Sequence, residues 1–286
     1  MRTKRRMSQK TFLIAFTALT ITGALVTYHI TPKKRYAIFA GYNPDGNISP
    51  YVITYLKGLE EVSDGIIYIT DSNLNKGEEE KLKSLKIIYQ QHIPHNEYDW
   101  GSYKRGYNFL KQTKLIKNTK ELILANDSCI APLTSFVPMF KEMEKQKDID
   151  FWGNTQDRPY YPHIQSYFMV LRRSALTSPV FENLITGVTH QKQYFDYVSK
   201  YEILLTTRLK NEGLKATSYI PMRPKTDIYS TPHLYISEYN NQFIKKKSIT
   251  EKTRLKNISL TNLLNKVKSI SPKTYQNIIA LTDKNS

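Results

Sequence analysis

Cysteine is nearly missing from this sequence: Cys129 is the single one in 286 residues. One thiol can neither close an intramolecular disulfide nor furnish the thiolates of a Cys-based zinc site. It follows an apolar run with no activating feature beside it, so it reads as a small buried hydrophobe. Familiar nucleotide and hydrolase signatures are missing as well. There is no Gly-rich P-loop ending in Lys-Ser/Thr, no dinucleotide-type Gly-x-Gly-x-x-Gly turn and no Gly-x-Ser-x-Gly elbow. These absences argue against a P-loop nucleotidase, a dinucleotide-dependent dehydrogenase and an α/β-hydrolase. No internal repeat is visible.

Acidic residues are also scarce. Only 25 Asp and Glu stand against 42 Lys and Arg, a formal charge of +17, which implies an anionic partner: nucleic acid, an anionic lipid surface or phosphorylated substrates. Much of the excess lies at the two ends, in Arg2, Lys4, Arg5, Arg6, Lys10, Lys33, Lys34 and Arg35, and again from Lys245 to Lys268. Flanking clusters fit a membrane surface better than a nucleic-acid groove, so a membrane is expected and nucleic acid is not.

From Thr11 to Ile30 no residue is charged, and about 20 residues suffice for a helix to cross the hydrocarbon layer. The segment reads as a single-pass N-terminal anchor, with a cleaved signal peptide as its rival. The basic residues before the span outnumber those after it, which favours a cytoplasmic amino terminus, while the side of the soluble domain stays open.

Over the whole chain, 21 Tyr and 11 Phe with 40% hydrophobic residues mark a folded domain behind the anchor. Apolar runs at Tyr36–Ala40, Gly65–Thr70, Lys86–Tyr89 and Glu121–Ala125 read as strands. Between them, Pro50–Leu59, Lys76–Leu85 and Tyr103–Ile116 carry helical spacing. This βαβαβαβ rhythm predicts an α/β fold with a mostly parallel sheet flanked by helices, and ligands beyond the carboxyl ends of the strands. Further on, Pro138–Lys147 reads as a helix, Asp150–Thr155 and Ser166–Leu171 as strands, and Tyr194–Leu209 as a long amphipathic helix. The expected division is an anchor over 1–35, a domain over 36–244 and a basic, helical C-terminal tail over 245–286. In that tail Leu260, Leu263, Leu264 and Val267 form one apolar stripe, suited to a membrane surface or to the domain itself.

Four polar clusters end apolar runs. Asn126-Asp127-Ser128 follows a strand, where a carboxylate is placed to hold Mg²⁺ or Mn²⁺ on a diphosphate, or else forms an Asx turn. Asp150, Trp152, Gly153 and Asp157 offer a ring for stacking a sugar or base with space beside it, or a buried strand end. His163, Gln165 and Ser166 form a polar set ahead of Tyr167-Phe168. Asp99 stands before Tyr103, Lys104 and Arg105 at the mouth of a helix, where cations and the helix dipole attract phosphate.

In order and spacing, several segments resemble the rhamnan synthesis F family of bacterial polysaccharide glycosyltransferases. They are Gly41-Tyr42-Asn43-Pro44-Asp45-Gly46, Tyr98-Asp99-Trp100-Gly101-Ser102-Tyr103-Lys104-Arg105-Gly106, Leu124-Ala125-Asn126-Asp127-Ser128, Asp150-Phe151-Trp152-Gly153-Asn154-Thr155, His163-Ile164-Gln165-Ser166-Tyr167-Phe168 and Tyr201-Glu202-Ile203. The resemblance spans about Tyr36–Ala216. It implies a GT-A-like sheet and a glycosyltransferase that moves a sugar, such as rhamnose, from a nucleotide-diphosphate donor to a cell-surface polysaccharide or glycolipid. By the same analogy Asp127 is the metal or donor-phosphate ligand. Asp99, Trp152, His163 and Gln165 line the donor and acceptor sites, with Lys104, Asn126, Gly153 and Ser166 beside them. Glu202 is the base and Asp150 the second candidate for it. A non-catalytic carbohydrate-binding or assembly protein on the same fold is the alternative.

Overall fold

The computed structural model describes residues 33–157, 162–222 and 226–283. The expected anchor lies outside them. Among the described residues no helix is long and apolar enough to cross a membrane.

The first half runs β1 (Lys34–Gly41), α1 (Pro50–Glu60), β2 (Gly65–Thr70), β3 (Ile87–His92), α2 (Tyr98–Gln112), β4 (Thr119–Asn126), β5 (Cys129–Ile130) and α3 (Val137–Lys145). The second runs β6 (Phe151–Gly153), β7 (Gln156–Asp157), β8 (His163–Ile164), β9 (Phe168–Arg172), α4 (Arg173–Leu176), α5 (Pro179–Thr186), α6 (Tyr194–Tyr197), a π-helical segment (Val198–Ile203), α7 (Leu204–Asn211), β10 (Ala216–Ser218), α8 (Pro232–Tyr239), β11 (Ile244–Lys245), α9 (Lys246–Thr250), α10 (Leu260–Ile270) and α11 (Pro272–Asp283). Seven of these strands form one sheet in the order β10-β6-β9-β4-β1-β2-β3. All its pairings are parallel except those of β9, which runs antiparallel to both β4 and β6.

The sheet is apolar on both faces because helices cover both. Ala37 and Phe39 of β1 face a core shared with α1, α3 and the C-terminal helices. Ile38 and Ala40, pointing the other way by the two-residue period of a strand, face α2, α5 and α7. Strands buried on both faces read as continuous hydrophobic runs, which is why β1, β2 and β4 stand out in the sequence. Gly106 brings α2 close: a Cβ there would lie 2.6 Å from the Ile38 side chain.

Several elements differ from expectation in ways that matter for the site. Residues 76–85 form only a short 3₁₀ turn over Glu78–Leu82, because Gly77 and three consecutive glutamates leave little apolar surface to hold a longer helix. The helix expected from Tyr103 begins at Tyr98, so Asp99 sits in its first turn. The long helix expected from Tyr194 to Leu209 runs from Tyr194 to Asn211, but its middle, Val198–Ile203, is a π-helical segment that carries Glu202.

The C-terminal segment is not peripheral. Lys245 lies in β11, which pairs with β5, and Leu263, Val267 and Ile278 are fully buried in the core that also holds α1. Asn277 donates to the Thr54 hydroxyl at 2.8 Å, and Thr274 donates to the Pro132 carbonyl at 3.1 Å. The apolar stripe of α10 therefore packs on protein, with Leu263 and Val267 buried and Leu260 and Leu264 partly buried against the same core.

Candidate active site

β4 ends at Asn126, and the chain turns there on Asn126 itself. Its Oδ1 accepts from the Ser128 backbone N–H at 3.0 Å and the Ser128 hydroxyl at 2.6 Å, the Asx turn that competes with strand continuation. Its Nδ2 donates to Asp99 at 2.5 Å, tying β4 to the first turn of α2. Asn126 is thus the bracket that fixes Asp99 over the strand end.

Asp127 projects from the same turn. Its Oδ2 accepts from the Tyr42 N–H at 3.2 Å and the Tyr51 hydroxyl at 3.4 Å, and lies 3.4 Å from the Lys246 ammonium. Lys246 also donates to the Tyr51 hydroxyl at 2.9 Å. Lys245, only 4% exposed, donates to the Ser128 hydroxyl at 3.3 Å and stands 3.7 Å above the Tyr167 ring and 5.1 Å from that of Tyr229.

Glu202 enters from the other side. The antiparallel β9 begins at this rim, so Ser166 just ahead of it points its hydroxyl at Glu202 Oε2, 2.8 Å away. His163 Nε2 lies 3.3 Å from Glu202 Oε1. Two fixed neighbours hold the carboxylate in one orientation. The π-helical insertion widens one turn at this residue, a distortion found frequently at functional sites.

These charges act on one another. Asp99 is partly buried. Burial pushes its carboxyl up to about 7, Asp127 adds to the rise, Lys245 opposes it, Glu202 raises it further and Lys246 lowers it. Burial would lower the Lys245 ammonium, but Cys129, Tyr229 and Glu202 outweigh that and raise it, so it stays charged. Burial also raises the Tyr194 phenol, with Asp99 and Glu202 contributing, and its exposed ring packs on Tyr98 at 5.5 Å.

The structure brings Asp99, Asn126, Asp127, His163, Ser166 and Glu202 together at the carboxyl rim of the sheet. The other candidates are engaged in contacts outside that cluster. Asp150 precedes β6, and because β6 is parallel to β4 its amino end is at the opposite rim; there Asp150 accepts from the Lys215 N–H at 2.8 Å and from Ser174. Trp152 is 1% exposed and packs edge-on to Phe140 at 5.1 Å, as core rather than a stacking surface. A Cβ on Gly153 would lie 2.3 Å from Ile164 and 2.9 Å from the Phe168 carbonyl, so its missing side chain serves strand packing. Gln165 accepts from Thr155 at 2.5 Å and donates to Asp157 at 3.3 Å, within a buried polar network. Lys104 donates to the Val188 carbonyl at 2.6 Å.

Lys245, Lys246, Tyr51 and Tyr194 were missed by sequence reasoning. The lysines fell at an assumed tail boundary; their one available signal was the apolar Phe243-Ile244 pair directly before them, which leads into the pairing strand.

The expected divalent metal meets a poor donor set. Among the described residues no group of three or more His, Cys, Asp or Glu side chains could hold a metal ion. Asp127, the expected ligand, already faces an ammonium and two neutral donors, and two lysine cations flank the position. Like charges at that range repel a dication.

Against known proteins, the family model for Rhamnan synthesis protein F matches residues 66–282. Virulence protein VirA of Vibrio anguillarum is 22% identical over 208 residues, covering 72% of this chain and 66% of that protein. The chain thus spans just under two thirds of the length of the curated relatives it matches. Among solved structures, a glycosyltransferase involved in the glycosylation of the major capsid of PBCV-1 aligns at a TM-score of 0.40 and 12% identity, over 73% of this chain and 92% of that one. The mannosyltransferase PcManGT from Pyrobaculum calidifontis, in complex with GDP-Man and Mn2+, aligns at 0.40 and 11%, over 96% and 83%. A cytidylyltransferase from Leptospira borgpetersenii aligns at 0.42 and 14%, over 85% and 97%. Classification rests on the family model, which covers well over half of the sequence: the chain belongs to the rhamnan synthesis protein F family.

Proposed function

We propose that this protein is a glycosyltransferase that moves a sugar, rhamnose being the choice the family's name favours, from a nucleotide-diphosphate donor to a cell-surface polysaccharide or glycolipid. The observation that carries the reading is the convergence of Asp99, Asp127 and Glu202 with two lysines where an open α/β sheet binds its ligands.

The chemistry is a single displacement. Glu202, oriented by His163 and Ser166, takes the proton of the acceptor hydroxyl. The acceptor oxygen bonds to the anomeric carbon as the bond from that carbon to the diphosphate oxygen breaks, with inversion. Negative charge grows on the leaving oxygen, and preorganised cations there lower the barrier. Asp99, held by Asn126 beneath the cleft, orients donor hydroxyls. The Thr11–Ile30 segment is the proposed anchor that keeps this chemistry at a membrane.

The test is to incubate purified protein with nucleotide sugars and an acceptor glycan and follow release of nucleoside diphosphate. Glu202→Gln lowers the rate by about a hundredfold or more, the range for loss of a general base, with an unchanged unfolding midpoint. Asp150→Asn, at the other rim, keeps the wild-type rate. A wild-type protein that neither binds nor consumes any nucleotide sugar sinks the reading and leaves the non-catalytic carbohydrate-binding alternative; full turnover by Glu202→Gln removes the base.

A further inference from the structure

We infer that Lys245 and Lys246 form a metal-independent diphosphate-binding site, in which two ammonium groups supply the charge that a divalent cation would bring to the leaving group. The inference rests on the transferase reading above and specifies how its donor is held.

The backbone makes the pair rigid. β11 is zipped antiparallel to β5 in the register Ile244↔Ile130 and Lys245↔Cys129, and the Lys246 N–H continues the ladder to the Ser128 carbonyl at 2.9 Å. Both side chains are therefore fixed relative to the Asn126-Asp127-Ser128 turn, the place in the fold where a metal carboxylate was expected. Their ammonium groups differ in role. Lys245 is buried between the Tyr167 and Tyr229 rings, with the Ser128 hydroxyl and the Tyr229 phenol as polar neighbours and no carboxylate in ion-pair contact among the described residues. A buried cation held by rings and hydroxyls is short of negative charge, and an anion in the cleft supplies it. Lys246 is paired to Asp127 only at 3.4 Å and keeps 28% of its side chain exposed, so it reaches the cleft.

The alternative occupant of the space, a divalent cation, is opposed by the same two charges. Asp99, a second carboxylate of the cluster, is already bonded to Asn126. Asp127, with the Tyr42 N–H and the Tyr51 hydroxyl on the same oxygen that faces the ammonium, serves instead to aim Lys246. Neutralising a leaving diphosphate needs only cations placed within hydrogen-bond reach of its oxygens, and lysine is a recurrent phosphate partner acting as a point charge.

The experiment measures binding of UDP, GDP and dTDP by calorimetry, in chelator and then with Mn²⁺. Wild-type protein binds at least one of them in chelator, with affinity that Mn²⁺ changes by less than about threefold. Lys246→Met weakens binding about tenfold or more, the scale of one charge-assisted hydrogen bond, while Lys246→Arg recovers most of it. Since Lys246 is part-exposed, its variants carry the test, with unfolding midpoints checking the fold; Lys245→Met, buried, is compared only if its midpoint is kept. Binding that appears only with Mn²⁺, or that Lys246→Met leaves unchanged, overturns the inference and spares the transferase reading. No binding of any of the three nucleotides in either condition overturns both.

Discussion

Replacing Asp99 with asparagine isolates the most perturbed carboxyl in the cluster. Its pKa is raised from the ordinary 3.8 to about 7, by burial first and by Asp127 next. A raised acid pKa means the folded state binds the proton more tightly than the unfolded chain. Stability is therefore greatest below the unfolded value and falls as pH rises towards the folded one, levelling off above it. A rise of that size corresponds to about 4 kcal/mol in full, of which about 2–3 kcal/mol falls between about pH 5 and pH 8. Asp99 is only partly buried, so water screens the charges and about 1–2 kcal/mol is the expected loss over that window. The asparagine side chain keeps an amide oxygen to accept from Asn126 and cannot ionise. Urea unfolding of wild type and Asp99→Asn across the window, plotted as their difference, cancels every other titrating group. The variant gains on the wild type as pH rises; a difference that is flat with pH, or runs the other way, refutes the placement of Asp99 in a desolvated, carboxylate-facing position.

Two further outcomes test the packing that positions the site. Gly153→Ala forces its methyl against Ile164 and the Phe168 carbonyl, and overpacking of that kind costs about 1–3 kcal/mol in chemical denaturation; a neutral result returns Gly153 to the list of ligand-contacting candidates. Leu263→Ala, at a fully buried position of α10, costs about 2–5 kcal/mol by the same measurement, whereas a peripheral tail would register almost nothing.

Much of the architecture was legible because it is local. β1, β2 and β4 are apolar on both faces, and Asn126-Asp127-Ser128 ends its strand with residues that favour turns over ladders. Asp99 and Glu202 carried signals of chemistry, but their neighbourhoods were not visible: the π-helical turn at Glu202 and the early start of α2 at Tyr98 both depend on what packs against them. Trp152 shows the converse. An aromatic beside a glycine looks the same whether its ring meets a sugar or Phe140, and burial alone separates the two.

Sequence by itself determined the strand–helix alternation of the first half and the family that the chain resembles and belongs to, since periodicity and motif order are properties of neighbouring residues. Only the tertiary structure decided that Asp150 and Asp127 lie at opposite ends of the sheet, because strand direction is set by pairing partners far along the chain. Lys245 and Lys246 come from a stretch that reads as solvated tail. Pairing of β11 with β5, across more than a hundred residues, sets them beside the Asn126-Asp127-Ser128 turn.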